Sequence, residues 1–409
     1  MKILHTSDWH LGKRLEGFSR LTEQEAVLQE ICDIADREKA EVVIIAGDLF
    51  DTFNPSTEAV ELFYHFTKKL TNNGARPVIA IAGNHDSPER IEAPHPLARE
   101  CGILFSGFPH TVIPSFELSS GLKVLKSLPG FVELQLPQSQ YPLRLILTPY
   151  ANEIRLKSYL GDFDAETELR SVLKDHWTEL ATNHCDAQGV NMMITHLLFM
   201  NVDGEQPEEP EEERSILHIG GAQAIFTESI PKQVQYVALG HLHRKQTITT
   251  APTPVIYSGS PIAYSFGEAD QDKYVMMIDV EPGQAALTTP ILLHAGKRLI
   301  RKRFDATDLA VEWLTENQNV FVELTIVSDT YLSVTERKQL LDIHEGIVTI
   351  IPEMRNLKGV AGKAGKSIDL TKNIEELFID FYQSKKGGQA PNERILQVFK
   401  ETLSEEGEA

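Results

Sequence analysis

Cysteine is scarce in this chain, which has only three cysteines in 409 residues. Cys32, Cys101 and Cys185 lie far apart and form no paired motif. Their number and spacing exclude a disulfide framework and a cysteine zinc site, and they are typical of a protein kept in a reducing compartment. We therefore expect a cytoplasmic protein.

Long apolar runs are also missing, because none reaches the roughly 18 residues that a membrane-spanning helix needs. The first residues, Met1 to Asp8, are typical of a short strand that runs into polar residues. They lack the apolar centre of a signal peptide. We therefore expect no membrane association.

Basic residues are too few to balance the acidic ones, since 39 Lys and Arg face 59 Asp and Glu, for a net charge of −20. Such a balance argues against broad, charge-driven binding to nucleic acid. The acidic residues are unevenly placed, however. Residues 204–214 contain six Glu and one Arg, and residues 401–409 contain four Glu and no base. The remaining surface has room for a basic groove, so net charge does not decide whether the chain binds DNA.

The first 280 residues alternate between strand and helix patterns. Helical spacing of apolar residues occurs at 23–39 and 56–70. We predict strands at 2–5, 41–46, 77–82, 143–147, 190–195, 236–239, 254–258 and 274–280. Some of these are continuous apolar runs, which are typical of strands covered on both faces. The pattern predicts a layered α/β domain over residues 1–280.

The rest of the chain divides into three further parts. The pattern of residues 281–354 predicts a small α+β domain, with helices at 305–315 and 335–344 and strands at 320–327 and 346–351. Residues 355–372, rich in Gly and Lys, predict a flexible basic linker. Residues 373–409 predict two helices, which either dock back on the body or bind another protein. Their apolar stripes include Ile374, Leu377, Phe378, Phe381, Ile395 and Phe399.

Five predicted strands end in polar residues that can bind metals or move protons. These residues are Asp8 and His10, then Asp48, then Asn84, His85 and Asp86, then His196, and finally His241 and His243. Open α/β sheets bind their ligands at the carboxyl ends of strands. A single histidine at a strand end is more often a packed residue than a ligand, but the ordered recurrence of five such ends favours one shared site.

Carboxylate, amide and imidazole groups without a thiolate suit Mn²⁺, Fe or Zn²⁺. The candidates are too many for one ion, because four to six ligands saturate it. Two ions that share a bridging carboxylate explain the number. Paired metals are a recurrent means of cleaving phosphoesters, since they activate a water and neutralise the developing charge.

These five motifs resemble those of the calcineurin-like metallophosphoesterase family. The segments 7–12 (SDWHLG), 47–51 (GDLFD) and 257–261 (YSGSP) are similar to those of its DNA double-strand-break nucleases. The resemblance implies a four-layer α/β sandwich, with two mixed β-sheets flanked by helices. A small capping domain over residues 281–354 would help to recognise DNA, and the C-terminal helix pair would bind a partner.

The resemblance also implies the roles of the site residues. Asp8, His10, Asp48 and His243 would hold one Mn²⁺. Asp48, Asn84, His196 and His241 would hold a second Mn²⁺, with Asp48 bridging; Mg²⁺ or another divalent ion could replace either. His85 would protonate the leaving oxygen as the catalytic residue, and Asp86 would orient His85.

The activity implied is that of a DNA nuclease, both a double-strand exonuclease and a single-strand or hairpin endonuclease, in DNA replication, repair and recombination. Its partners would be DNA and an SMC-like ATPase with a coiled coil, in a heterotetramer that contains a homodimer of this chain near the nucleoid. ATP hydrolysis would belong to that partner, because this chain has no phosphate-binding GxxxxGK[ST] loop. A small-molecule phosphodiesterase or phosphatase, or a scaffold with a structural metal site, remain the alternatives.

Overall fold

The computed structural model describes residues 1–156, 165–202, 204, 207, 224–329 and 332–355, together with 377–379, 382, 391, 395–396 and 399. The predicted acidic loop at 204–214 and basic linker at 355–372 lie almost wholly outside the described residues. So does most of the predicted C-terminal helix pair, including Ile374 and Phe381. The chain divides into two compact units, residues 1–326 with 334–351, and residues 327–333 with 352–409.

Twenty strands and eight α-helices are found among the described residues. The strands are β1 (Lys2–Thr6), β2 (Arg14–Leu15), β3 (Phe18–Ser19), β4 (Val42–Ala46), β5 (Val78–Ile81), β6 (Ile103–Ser106), β7 (Lys123–Leu128), β8 (Phe131–Gln135), β9 (Leu143–Thr148), β10 (Val190–Thr195), β11 (Phe199–Met200), β12 (Ile225–Phe226), β13 (Tyr236–Leu239), β14 (Gln246–Thr249), β15 (Val255–Tyr257), β16 (Tyr274–Asp279), β17 (Leu287–Leu292), β18 (Arg298–Phe304), β19 (Val320–Ser328) and β20 (Ile347–Met354). The helices are α1 (Leu21–Arg37), α2 (Thr57–Leu70), α3 (Pro88–Glu92), α4 (His95–Glu100), α5 (Glu153–Leu156), α6 (Ala165–His184), α7 (Thr307–Glu316) and α8 (Val334–Ile343).

Two mixed sheets form the body of the first unit. The first has the strand order β17-β16-β1-β4-β5-β6, and the second has the order β14-β15-β13-β10-β9-β8-β7. In the first sheet β1 lies in the interior, parallel to β4 and antiparallel to β16. In the second, β9, β10, β13 and β15 run parallel to one another. The parallel arrangement brings the carboxyl ends of neighbouring strands to one edge of each sheet.

Alternating side chains of each strand pack on opposite faces of the sheet. Ile3 of β1 packs in a core between the two sheets, together with Leu145 of β9 and other residues from both. The next residue, Leu4, packs against α1 and α2 on the outer face. Trp177 of α6 packs on the outer face of the second sheet. Helices therefore flank two facing sheets, and the predicted α/β sandwich is confirmed.

The predicted helix 56–70 shows how local sequence sets an element boundary. The Ser56 side chain accepts a hydrogen bond from the backbone N–H of Ala59 at 3.3 Å, which caps the start of α2. The apolar face of the helix buries Phe63 and Phe66 in the outer core of the first sheet. Among the described residues, no helix combines the length and apolarity needed to cross a bilayer.

A three-stranded sheet in the order β18-β19-β20, with α7 and α8, follows the body. The sequence predicted both helices and the last two strands but missed β18. This strand (RLIRKRF) is mostly charged and buries only Leu299, so it lacks a recognisable apolar pattern. Leu299 and Phe321 of this sheet pack with Leu15 and Phe266 of the body.

In the second unit, two of the aromatic residues predicted on the C-terminal stripes contact each other. The rings of Phe378 and Phe399 are stacked, with centroids 4.0 Å apart and an interplanar angle of 9°. Leu377 and Ile395 belong to helical segments and are half-buried.

Candidate metal centre

The loops that follow β1, β4, β5, β10 and β13 meet at one edge of the two sheets. Backbone hydrogen bonds join the first two loops, from Asp8 N to the Gly47 carbonyl at 3.0 Å and from His10 N to the Asp48 carbonyl at 2.9 Å. Across the sheets, His196 Nδ1 lies 2.8 Å from the carbonyl oxygen of Ala46 at the end of β4. The strand-end residues of both sheets are thereby brought into one site.

One group of candidate ligands consists of Asp8, His10 and His243, whose ligand atoms lie within 4.8 Å of one another. The Nε2 atoms of His10 and His243 are 2.9 Å apart. His10 Nε2 also lies 3.5 Å from Asp48 Oδ2. All four side chains are almost completely buried. This is the set that the family resemblance implies for one metal ion.

A second group lies on the other side of Asp48. The ligand atoms of Asp8, Asp48 and His196 are within 4.8 Å of one another. His196 Nε2 is 3.2 Å from Asp48 Oδ2 and 3.0 Å from Asn84 Oδ1, and His241 Nδ1 is 3.1 Å from the same Asn84 oxygen. Asp48 Oδ2 thus lies within reach of both groups, as a bridging carboxylate must.

Four of the candidate ligands have backbone conformations that are rare for residues with a Cβ. The φ angles are 53° at Asp8, 41° at His10, 48° at Asp48 and 108° at His241. Such conformations persist where the surrounding structure enforces them, and they cluster at functional sites. They turn these side chains away from the strand direction and toward the shared site.

Two glycines leave the space that the ligands occupy. A Cβ at Gly47, where φ is 91°, would lie 2.1 Å from His196 Nδ1. A Cβ at Gly83 would lie 2.1 Å from Asp48 Oδ1. The Gly before Asp48 and the Gly before Asn84 are therefore required by close approach between loops, which is a physical reason for the Gly-Asp and Gly-Asn-His-Asp motifs.

The electrostatics of the site suit cations. Burial lowers the pKa of His10 well below its ordinary value, so its imidazole stays neutral and can bind a metal. Burial opposes charge on Asp48, but the adjacent His196 holds the pKa of this carboxyl well below its usual range. Burial likewise opposes a charge on His196, yet the Asp48 carboxylate raises its pKa to about 9. Burial raises the pKa of Asp8 to about 6.

A divalent cation at this position would interact with the Asp48 carboxylate in place of the proton on His196. Two imidazole nitrogens 2.9 Å apart, a bridging carboxylate and an amide oxygen form a donor set with nitrogen and oxygen ligands and no thiolate. Such donors fit Mn²⁺, Fe or Zn²⁺. The residues present therefore fit a divalent metal centre.

His85 lies beside the ligands and is partly exposed. Its Nδ1 is 2.9 Å from the Asp51 carbonyl oxygen, which can only accept a hydrogen bond, so Nδ1 carries a proton. Its backbone N–H donates to Asp48 Oδ1 at 2.9 Å. The ring is 4.8 Å from that of His10, centroid to centroid. In the neutral ring the lone pair therefore lies on the other nitrogen, Nε2.

Asp86 makes contacts that differ from the predicted one. Its buried carboxylate accepts backbone hydrogen bonds from Gly83 at 2.8 Å and from Leu49 and Phe50 at 3.0 Å. It therefore joins the loops after β4 and β5, while the His85 ring is oriented by the Asp51 carbonyl instead. Burial, followed by the nearby Asp48 charge, raises the pKa of Asp86 to about 6.

Sequence reasoning missed several residues of the site. Arg155 of α5 is buried and donates to the carbonyls of Gly83 at 2.7 Å, Asn84 at 3.4 Å and Asp86 at 2.8 Å. It fixes the loop that carries Asn84 and His85. Arg155 lies about 70 residues from that loop and in no motif, so only the fold could reveal it.

The carboxylate of Asp51 belongs to a third group of candidate ligand atoms, with His10 and His85. Lys13 Nζ lies 3.2 Å from Asp51 Oδ1 and shares this carboxylate. Asp51 therefore contributes its backbone carbonyl to His85 and its side chain to an ion pair at the rim of the site.

Comparisons with known proteins agree with this geometry. The family model described as calcineurin-like phosphoesterase matches residues 1–245, which include every candidate ligand. A Bacillus subtilis (strain 168) protein, named as a subunit of the nuclease SbcCD, is 36% identical over 99% of this chain and 98% of its own length. A Staphylococcus epidermidis (strain ATCC 12228 / FDA PCI 1200) protein of the same name is 26% identical over the full length of both. A third protein of this name, from Rhodobacter capsulatus, is 30% identical over 71% of this chain and 69% of its own length.

Proposed function

This chain belongs to the calcineurin-like phosphoesterase family, among its SbcD nucleases, and we propose that it is a dimanganese DNA nuclease. Its substrates are double-stranded ends, for exonuclease cleavage, and single strands or hairpins, for endonuclease cleavage. The setting is the bacterial nucleoid, during DNA replication, repair and recombination. The observation that carries the proposal is the convergence of seven residues with nitrogen and oxygen ligand atoms, Asp48 among them, on one site beside His85.

The ligands fall into two sets that share Asp48. Asp8, His10, Asp48 and His243 hold one Mn²⁺, and Asp48, Asn84, His196 and His241 hold the other. The contact of Asp48 Oδ2 with both His10 and His196 supports this division. Mg²⁺ or another divalent ion with similar ligand preferences is the alternative occupant.

The two cations, when bound, lower the pKa of a water and neutralise negative charge on the phosphate. The protein's own residues supply the rest. Asp48 Oδ1 accepts a hydrogen bond from the backbone N–H of His85, and Arg155 holds the loop that carries Asn84, so the ligands are positioned before substrate arrives. His85, protonated on both ring nitrogens and with Nδ1–H held by the Asp51 carbonyl, presents Nε2–H to the leaving sugar oxygen and transfers that proton to it, which leaves a neutral imidazole.

Cleavage of labelled hairpin DNA, with Mn²⁺ or with a chelator, tests the proposal. We expect cleavage only with Mn²⁺, and we expect His85→Ala to lose about 10²-fold to 10⁴-fold in rate, which is the usual contribution of general acid catalysis. His65→Ala is the matched control, because His65 is exposed and outside the site. Cleavage of small phosphodiesters without cleavage of DNA would favour the small-molecule alternative. Full activity in His85→Ala would contradict the catalytic assignment.

We further propose that the C-terminal residues 373–409 bind the coiled coil of an SbcC-like ATPase, in a heterotetramer with two copies of each chain. The names of the relatives, which call them subunits of SbcCD, support a partner of this kind. Stacked Phe378 and Phe399 support an aromatic contact surface built from both apolar stripes. Residues 281–354 act as a capping domain that recognises DNA, and residues 355–372 connect it to the partner-binding segment.

Copurification of the full chain with the ATPase tests this assignment. The double variant Phe378→Ala/Phe399→Ala should lose the ATPase while it retains Mn²⁺-dependent cleavage of a small diester. Phe304→Ala, which removes an aromatic residue that contacts Trp313 near the small sheet, serves as the control. Undiminished copurification of the double variant would contradict the assignment.

A further inference from the structure

Glu268 is a buried carboxylate that no motif singled out, and it contacts a candidate metal ligand. Its side chain has no exposed surface. Its Oε1 atom lies 3.4 Å from Nδ1 of His243, on the opposite side of the imidazole from the metal centre. The ligand atom of that ring, Nε2, faces His10 at 2.9 Å.

The Glu268 carboxylate is held in place by several donors. Lys273 Nζ forms a short ion pair with Oε2, and Ser260 Oγ lies 3.3 Å from the same oxygen. The backbone N–H groups of Tyr264 and Ser265 donate to Oε1 at 2.9 and 3.3 Å. Lys273 and the two backbone N–H groups can only donate, so the carboxylate is ionised and accepts a hydrogen bond from His243 Nδ1–H.

Lys273 acts on the same ligand from a second direction. Its Nζ donates to the backbone carbonyl of His243 at 3.0 Å and to Ser260 Oγ at 2.9 Å. Glu268 therefore holds the ring of His243 while Lys273 holds its backbone. The acid–base pair thus contacts one metal ligand at two points, and both of its side chains are buried.

We propose that Glu268 is a positioning residue that fixes the tautomer and orientation of His243, with Lys273 holding Glu268. A hydrogen bond from Nδ1–H to a carboxylate leaves the lone pair on Nε2, which is the atom that faces the site. Such a partner also makes the imidazole a better ligand, and loss of such partners typically weakens metal binding about tenfold to a hundredfold. This inference depends on the metal centre proposed above.

The position of the carboxylate is itself set by packing. Glu268 ends a short turn, Phe266–Glu268, whose first residue packs against Leu299 and Phe321 of the small sheet. One turn thus contacts the small sheet through Phe266 and the metal ligand through Glu268. The exact placement of His243 consequently depends on a segment that lies beyond the last ligand in the sequence.

Two measurements on the full-length chain test the proposal. The first is Mn²⁺ binding by calorimetry, for which we expect two ions per chain in the wild type. Glu268→Ala should bind one of them about tenfold to a hundredfold more weakly. Glu268→Gln keeps an oxygen that can accept from Nδ1–H but loses the oxygen that accepts from Lys273, so it should recover part of that affinity. Glu133→Ala is the matched control, because Glu133 also pairs with a base, Arg144, but lies on β8 away from the site.

The second measurement is the protonation state of the His243 ring nitrogens, by ¹⁵N NMR of the metal-free chain labelled at histidine. We expect a proton on Nδ1 in the wild type and in Glu268→Gln, and a shift toward the Nε2–H form in Glu268→Ala. Unchanged affinity and tautomer in Glu268→Ala would overturn the positioning role. If Glu268→Ala does not fold, a Glu268→Gln chain without the Nδ1 proton would overturn it equally.

These outcomes separate the two proposals. A wild-type chain that binds no Mn²⁺ contradicts the proposed metal centre, whatever the variants do. A different result contradicts only the role of Glu268. In that case the wild-type chain binds two ions, and Glu268→Ala binds both as tightly and is only less stable to urea.

Discussion

His5 makes stability depend on pH, because it is a buried histidine whose two ring nitrogens both contact neutral groups. It lies in β1 with no exposed surface. Its Nδ1 is 2.9 Å from the Tyr236 hydroxyl, and its Nε2 is 3.1 Å from the Leu239 carbonyl oxygen. Both contacts suit the neutral ring, with Nε2–H donating to Leu239 and Nδ1 accepting from Tyr236. Burial lowers the pKa of His5 from 6.5 to about 3.

The sign of the effect follows from proton uptake. The unfolded chain protonates His5 near pH 6.5, whereas the folded chain does so only near pH 3. Between these values the unfolded state binds more protons, so the free energy of unfolding falls as the pH falls. Each pH unit in this window removes about 1.4 kcal/mol. His5 alone should therefore lower stability by about 2 kcal/mol between pH 7 and pH 5.

Urea unfolding at pH 7 and pH 5, in chelator so that metal binding does not contribute, measures this loss. His5→Gln cannot titrate, so its stability should fall less than that of the wild type by about 2 kcal/mol over this interval. At pH 7 the variant should be less stable by about 1–3 kcal/mol, because Tyr236 loses its acceptor. His65→Gln, at an exposed position, should keep the wild-type pH dependence. Parallel pH profiles for the wild type and His5→Gln would refute the reasoning.

Two substitutions test how the loops that carry the candidate ligands are held in place. Gly47→Ala places a Cβ 2.1 Å from His196 Nδ1, at a residue whose φ is 91°. We therefore expect the free energy of unfolding in urea to fall by about 2–4 kcal/mol, and Mn²⁺ binding to weaken. An unchanged urea midpoint would contradict this. Arg155→Lys keeps the charge but cannot reach three carbonyls at once. We therefore expect a lower kcat on a small diester with little change in Mn²⁺ stoichiometry, and an unchanged kcat would show that Arg155 does not position the loop.

Most of the interior strands could be predicted because they are apolar on both faces, although the prediction missed the interior strand β8 and the buried edge strand β6. The run at 41–46 corresponds to β4, all of whose residues are buried, and the run at 77–82 corresponds to β5. Strands with one exposed face were harder. β7 buries only one of its six residues and β18 is mostly charged, so neither has the continuous apolar run that identifies a buried strand.

The candidate ligands could be predicted because parallel strands bring their carboxyl ends together. Asp48 and His196 follow a buried strand directly or after a single glycine, and the recurrence of such strand ends along the chain identified them as candidates. Local sequence was not sufficient for Arg155 or Glu268, whose roles depend on contacts with loops distant in sequence. Nor could it show that Asp86 would bind backbone N–H groups, because that depends on how closely two loops approach.

The interior position of β1 has a consequence for folding and for the design of fragments. This strand occupies residues 2–6, yet one of its two neighbours, β16, is at residues 274–279. During synthesis, β1 therefore remains an open edge until β16 has emerged, and contacts of such long sequence separation form slowly. An unpaired strand edge can form backbone hydrogen bonds with a strand of another chain, which leads to aggregation. A fragment that stopped at residue 245, where the family match ends, would keep every ligand but lose β16 and Glu268. It should aggregate, whereas one that extends past β17 should not.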